Sequence, residues 1–244
     1  MLEKIMFMPD AHLPYHDETA LSVFLNAAAE YRPDHLFILG DLLDFYAVSR
    51  HDKDPGRRLT LQEEVESSLE VLDRIESLGV PHVTFCAGNH ENRLERYIAT
   101  QAPELFGLVS VEELLGIARR GWDYVPYRQC AKLGKLYVTH DVGYSGQRVC
   151  AQTMAAVNVN MVVGHAHRIQ YTVERDIMGG SHVAMCPGWL GDFSRVDYMH
   201  TARMKSWAHG FGMGIVEPET GVVHVYPVAI VDGWCPVAGK KVTA

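Results

Sequence analysis

His35-Leu36-Phe37-Ile38-Leu39-Gly40-Asp41-Leu42-Leu43-Asp44 is the stretch that decides the fold. Leu36 to Leu39 is a short unbroken apolar run, the pattern of a strand buried on both faces, and Gly40-Asp41 marks its exit into a loop. The same arrangement recurs on either side. Lys4 to Pro9 leads into Asp10-Ala11-His12, and Pro81 to Ala87 leads into Gly88-Asn89-His90-Glu91. Further on, Lys135 to Thr139 delivers His140, and Asn160 to Val163 delivers Gly164-His165-Ala166-His167. Polar clusters held at strand exits can converge on one point although they lie far apart in the chain.

Helical periodicity fills the gaps. Asp17 is placed to cap a helix whose apolar face is Ala20, Leu21, Phe24, Leu25 and Ala28. Thr60 and Glu63 have the spacing of a capping box, followed by Leu61, Val65, Leu69, Leu72, Ile75 and Leu78. Further helices are expected over 92–100, 111–119 and 145–157, and 51–58 reads as a surface loop. Beyond Pro126 short strands with glycine turns dominate, at 171–177, 182–186, 212–216 and 222–227. The expected fold is α/β: two mixed β-sheets packed as a sandwich flanked by α-helices, in one domain over 1–233. A tail over 234–244 is expected to be poorly ordered.

Composition removes several function classes. The 244 residues are 48% hydrophobic and 21% charged, with a formal net charge of −8. That balance offers no broad basic surface for duplex DNA. No run reaches the roughly 18 apolar residues of a membrane helix, and the N-terminus lacks the pattern of a signal peptide, so a cytoplasmic location is expected and no membrane partner. Cys86, Cys130, Cys150, Cys186 and Cys235 form no C-x-x-C pair, which disfavours a thiolate zinc site or a disulfide framework.

The five clusters, in order D-x-H, G-D-x-x-D, G-N-H-E, H and G-H-x-H, resemble the calcineurin-like metallophosphoesterase family over about the first two-thirds of the chain. The resemblance implies two divalent metal ions. Residues matching Asp10, His12, Asp41 and His167 hold one, and those matching Asp41, Asn89, His140 and His165 hold the other, so Asp41 bridges. Imidazole, carboxylate and amide donors suit Mn²⁺, Fe, Zn²⁺ or Co²⁺ better than Mg²⁺ or Ca²⁺, and Mn²⁺ is the expected metal, with Fe, Zn²⁺, Co²⁺ or Ni²⁺ as other candidates. The implied reaction is attack on phosphorus by a metal-bridged hydroxide, with His90 as general acid. Asp44 either orients His90 or caps a following helix.

Arg93 and Arg168 are candidates for binding the substrate phosphate, although solvated helix arginines have the same sequence signature. Trp189 to Phe211 mixes aromatic and cationic residues, and either a lid that stacks on a base or a loop packed over the second sheet explains that mixture. The expected activity is hydrolysis of phosphodiester bonds of nucleotides or nucleic acid. Phosphomonoester hydrolysis, including that of phosphoproteins, is the alternative, and a non-catalytic scaffold of the same fold is a third. The Ser/Thr phosphatase pattern continues G-D-x-x-D with Arg-Gly, whereas Phe45-Tyr46 follows here. The sequence leaves the oligomeric state open.

Overall fold

Four consecutive fully buried residues, Ile5 to Met8, make β1 (Glu3–Met8) a central strand. In this computed structural model, which describes residues 1–50, 59–196 and 204–244, β1 pairs in parallel with β2 (His35–Ile38), and β2 with β3 (His82–Cys86). Strand β4 (Asp123–Val125) closes one edge of this sheet. On the other side β10 (Gly210–Val216) pairs antiparallel with β1, and β11 (Val223–Ala229) with β10. The second sheet runs β5 (Ala131–Leu133), β6 (Leu136–Thr139), β7 (Asn160–Val163), β9 (Ser181–Pro187), β8 (Ile169–Arg175). Strands β6, β7 and β9 are parallel, and β5 and β8 are antiparallel edges.

The two sheets pack face to face. Ile5, Phe7, Phe37 and Leu39 of the first meet Leu136, Val138, Val162 and Met185 of the second in one apolar layer. Helices α1 (Glu18–Tyr31), α2 (Leu61–Glu76), α3 (Glu91–Gln101) and α4 (Val111–Leu114) join the core on the first sheet's outer face, and α5 (Val149–Val157) covers the second. This is the sandwich expected from the sequence. It places the exits of parallel strands β1, β2, β3, β6 and β7 at one edge of the molecule, where α/β sheets usually bind ligands.

Local signals explain the helices. The Asp17 carboxylate accepts from the Ala20 amide at 2.8 Å, and the Thr60–Glu63 capping box is complete. Three details depart from the sequence reading. The helix expected over 111–119 stops after Leu114, because Gly116 adopts a positive φ of 62° that breaks the helical hydrogen-bond ladder. The helix expected from 145 begins only at Val149. The expected disordered tail is a hairpin instead, β12 (Trp234–Val237) paired with β13 (Lys240–Thr243). It is held because Cys235, Val237 and Val242 join the core beside α1, and the Asn26 amide donates to the Thr243 carbonyl at 2.9 Å. The surface loop expected at 51–58 lies outside the described residues.

Among the described residues no helix is long and apolar enough to cross a membrane. Of the five cysteines, four are buried free thiols and Cys130 is exposed.

Candidate metal centre

Asp10, His12, Asp41, Asn89, His90, His140, His165 and His167 all sit within four residues of the ends of β1, β2, β3, β6 and β7, and the fold brings them to one point. His12 Nε2 lies 3.0 Å from His167 Nε2, and His167 Nε2 lies 3.1 Å from Asp10 Oδ2. Beside this group, His140 Nε2 is 3.3 Å from Asp41 Oδ2, 3.3 Å from His165 Nδ1 and 3.0 Å from Asn89 Oδ1. The potential ligand atoms form the triads Asp10-His12-His167 and Asp41-His140-His165, and His12-Asp41-His90 links them.

These residues fit a metal. Ring nitrogens of His12 and His167 converge with the Asp10 carboxylate, and those of His140 and His165 with that of Asp41, in a buried site, the donor set and spacing of ligands to a divalent cation. Adjacent ligands of one ion, each at about 2.1 Å, stand roughly 3.0–3.4 Å apart in octahedral or tetrahedral geometry. His12, Asp41, His165 and His167 all have positive φ, between 46° and 64°. Backbone of that kind costs about 1–3 kcal/mol per residue and is retained where a site demands it. Two glycines are equally constrained. A Cβ on Gly88 would come within 2.2 Å of Asp41 Oδ1, and one on Gly164 within 2.6 Å of Asp10 Oδ1.

An outer ring of contacts orients the ligands. His140 Nδ1 donates to the Leu39 carbonyl at 2.8 Å, which turns the Nε2 lone pair inward. Asp44 Oδ1 lies 2.8 Å from His90 Nδ1 and 3.5 Å from His12 Nδ1, so one carboxylate aims two imidazoles. The short 3-10 turn that follows starts after Phe45 without a side-chain cap, so Asp44 faces the histidines and is not the cap of a following helix. Arg93 donates to the Asp44 carbonyl and to His90 Nε2, each at 2.8 Å. Arg168 donates to Ser206 Oγ at 3.0 Å, to the Ser145 carbonyl at 2.9 Å and to the Ala166 carbonyl at 2.8 Å, so it braces the loops around the site.

Charge and burial oppose each other at Asp41, His140 and His167. Burial disfavours the carboxylate of Asp41, yet His140 and His90 beside it hold its pKa well below the usual range. Burial disfavours charge on His140 too, but Asp41 lifts it to about 10. His167 is pushed down to about 4 by burial, against the pull of Asp10.

Two residues central to this geometry stood within quoted sequence clusters without a role assigned to them. Glu91 is fully buried, and its carboxylate accepts from the amides of Gly88 at 2.7 Å, Asp41 at 2.8 Å, Leu42 at 2.9 Å and Leu43 at 3.1 Å. It fastens the β2 exit to the β3 exit. An acid in a first helical turn usually complements the helix dipole at the surface, so its type and position suggested nothing more. Trp189 is buried and stacks on the His167 ring, with centroids 4.8 Å apart. Within the aromatic segment expected as lid or packing, Trp189 and Phe211 are core, Trp207 packs edge-on against His167 at 4.3 Å, and Phe193 is exposed. Tyr198, His200 and Arg203 lie outside the described residues.

The family model for calcineurin-like phosphoesterases matches residues 3–169, which contain every cluster above. The chain belongs to the calcineurin-like phosphoesterase family. Membership and the Asp/His triads together make it a metal-dependent phosphoester hydrolase that binds divalent metal. Among curated proteins, this phosphoesterase is similar to the gene 54 proteins of Mycobacterium phage L5, 25% identical, and of Mycobacterium phage D29, 23% identical, each alignment covering 98% of both chains. Among solved structures it is similar to Chaetomium thermophilum Vps29, with 14% identity, a TM-score of 0.48, and 99% of this chain and 97% of that one covered. The E. coli phosphoesterase YfcE matches with 18% identity and a TM-score of 0.43, covering 90% of this chain and 96% of that one.

Proposed function

We propose that the protein is a binuclear phosphodiesterase acting on nucleotides or nucleic acid, with Mn²⁺ as its metal. The observation that carries this reading is the shared position of Asp41, which belongs to two of the linked ligand groups, its Oδ2 3.3 Å from His140 Nε2 and 3.7 Å from His90 Nε2. Asp10, His12, Asp41 and His167 would hold one ion, and Asp41, Asn89, His140 and His165 the second. When bound, such a pair neutralises the phosphoryl oxygens and supplies a nucleophile from water near neutral pH.

The chain's own residues do the rest. His90, aligned by Asp44, carries the proton for the leaving oxygen. The new bond joins water oxygen to phosphorus, the bond from phosphorus to the leaving nucleoside oxygen breaks, and that oxygen takes the proton. Arg93 sits on His90 Nε2, so an arriving phosphate takes over or shares the guanidinium. The G-N-H-E and G-H-x-H clusters, with Phe45-Tyr46 in place of Arg-Gly, support a diester over a phosphoprotein substrate.

The test compares the Mn²⁺-loaded chain on bis-p-nitrophenyl phosphate, p-nitrophenyl phosphate, cyclic nucleotides and DNA, with bound metal counted by mass spectrometry. Diester turnover with two metals per chain is expected. Hydrolysis of monoesters alone, or a single bound metal in an active protein, would refute the proposal.

A further inference from the structure

A groove of about 430 Å³ opens beside the metal centre and shares Asn89 and Arg93 with its rim. Its floor is the outward face of α3, where Arg93, Arg96, Tyr97 and Thr100 follow at three- and four-residue spacing while Leu94 and Ile98 turn into the core. The turn carrying Arg50 forms one wall, and Tyr127 with Arg128 forms the other. Four arginines line this groove, and among the described residues no aspartate or glutamate does, in a chain whose net charge is −8.

Of these charges only Arg93 has a carboxylate beside it among the described residues, its Nη1 3.5 Å from Asp44 Oδ1. Elsewhere on the surface Arg74 pairs with Glu18, and Arg120 with Asp73 and Glu76. Arg50 and Arg96 have no ion-pair partner among the described residues, and Arg128 lies over the Tyr127 ring at 5.3 Å. Tyr97 is 44% exposed inside the same groove. Clustering like charges raises the folding free energy, and an anionic ligand is the simplest reason for the cluster. Flat aromatic side chains between cations are the elements with which proteins hold single-stranded nucleic acid, since every base has a stacking face.

Position gives the groove its role. His90 Nε2 and Arg93 stand where the groove meets the metal centre, so a leaving oxygen that reaches His90 projects the rest of its molecule over α3. Resting on the diesterase reading above, we infer that this groove binds the leaving-group side of a single-stranded nucleic acid. Arg50, Arg96 and Arg128 take phosphates beyond the scissile one, and Tyr97 takes a base.

The test uses the full chain with Arg96→Glu, Arg128→Glu and the milder Arg96→Gln, all at exposed positions outside the catalytic machinery. Binding of fluorescein-labelled oligothymidylates of two, four and eight nucleotides is followed by anisotropy in EDTA, so this arm does not depend on turnover. Expected are tighter binding from two to four nucleotides, about tenfold weaker binding for each glutamate variant, and a smaller loss for Arg96→Gln. The slope of log affinity against log salt should fall by about 0.7 per charge removed. With Mn²⁺, kcat/KM on the four-nucleotide substrate should fall about tenfold, while bis-p-nitrophenyl phosphate turnover stays within twofold. Unchanged oligonucleotide binding in the variants, equal losses on both substrates, equal affinity for ATP, or preference for a duplex would each overturn the inference. Inertness of the wild-type chain towards every diester would sink the diesterase reading, and the EDTA binding arm would still decide the groove.

Discussion

Asp41 holds a left-handed backbone at φ 46°, with Oδ1 accepting the His90 amide at 2.8 Å and Oδ2 facing His140. Replacing one of its oxygens by an amide leaves the shape and removes the charge between the triads. Asp41→Asn is therefore expected to abolish diester hydrolysis and lower the metal count per chain, and full metal uptake in that variant would refute the shared-ligand role. His90→Ala should behave differently: metal content stays normal and turnover falls by about 10²–10⁴, the usual range for a lost general acid. Glu91→Gln tests the hidden fastening. Four amides point at this carboxylate, and a glutamine NH₂ group must face at least one of them. A loss of about 2–4 kcal/mol in urea unfolding is expected, since a buried unmatched donor costs about 1–3 kcal/mol and the charged acceptor is lost as well. Stability within 0.5 kcal/mol of wild type, roughly the range of an ordinary surface change, would show that the loops hold together without Glu91.

Strand-exit loops and the C-terminal hairpin show how far elements could be foreseen. Continuous apolar runs revealed β1, β2, β3, β6 and β7, because strands buried on both faces need such runs. The three-residue strands β4 and β5 carry too few residues to show a period, and they pair only because neighbouring strands present open edges. Hairpin β12–β13 is charged and glycine-containing on its outer side, so its three inward residues were masked in the sequence. Truncation after Asp232 would expose the buried Cys235, Val237 and Val242 together with the α1 surface beneath them. At ~1.5–3 kcal/mol per fully buried aliphatic side chain, the truncated chain should lose several kcal/mol of stability, read as a lowered urea midpoint. An unchanged midpoint would mean that the hairpin is an ornament.

Over the whole molecule the charges on the metal centre set a pH profile for the metal-free protein. His140 has a folded pKa of about 10 against an ordinary 6.5, so its contribution to stability is complete below about pH 6.5 and is lost as pH rises to 10. His167, held down to about 4, acts in the opposite sense, and its penalty grows as pH falls from 6.5 towards 4. In EDTA the unfolding midpoint should therefore peak near pH 6.5. Binding of Mn²⁺ must displace the His140 proton, so affinity should rise with pH between about 6.5 and 10 and calorimetry should detect proton release. A midpoint in EDTA that climbs steadily from pH 6.5 to 10 would contradict the assignment at His140.

Residue order alone determined that strands would end in aspartate, asparagine and histidine, and hence that the chain binds divalent metal and belongs with the phosphoesterases. Burial and periodicity are local properties, and a strand followed by a ligand can be read within a dozen residues. Only the tertiary structure decided that Glu91 fastens two loops, that Asp44 serves both His12 and His90, and that Arg50, Arg96 and Arg128 share one groove. Those relations depend on strand order and on contacts between segments tens of residues apart. A sequence pattern specifies which side of an element faces inward, but not which neighbour it will meet there.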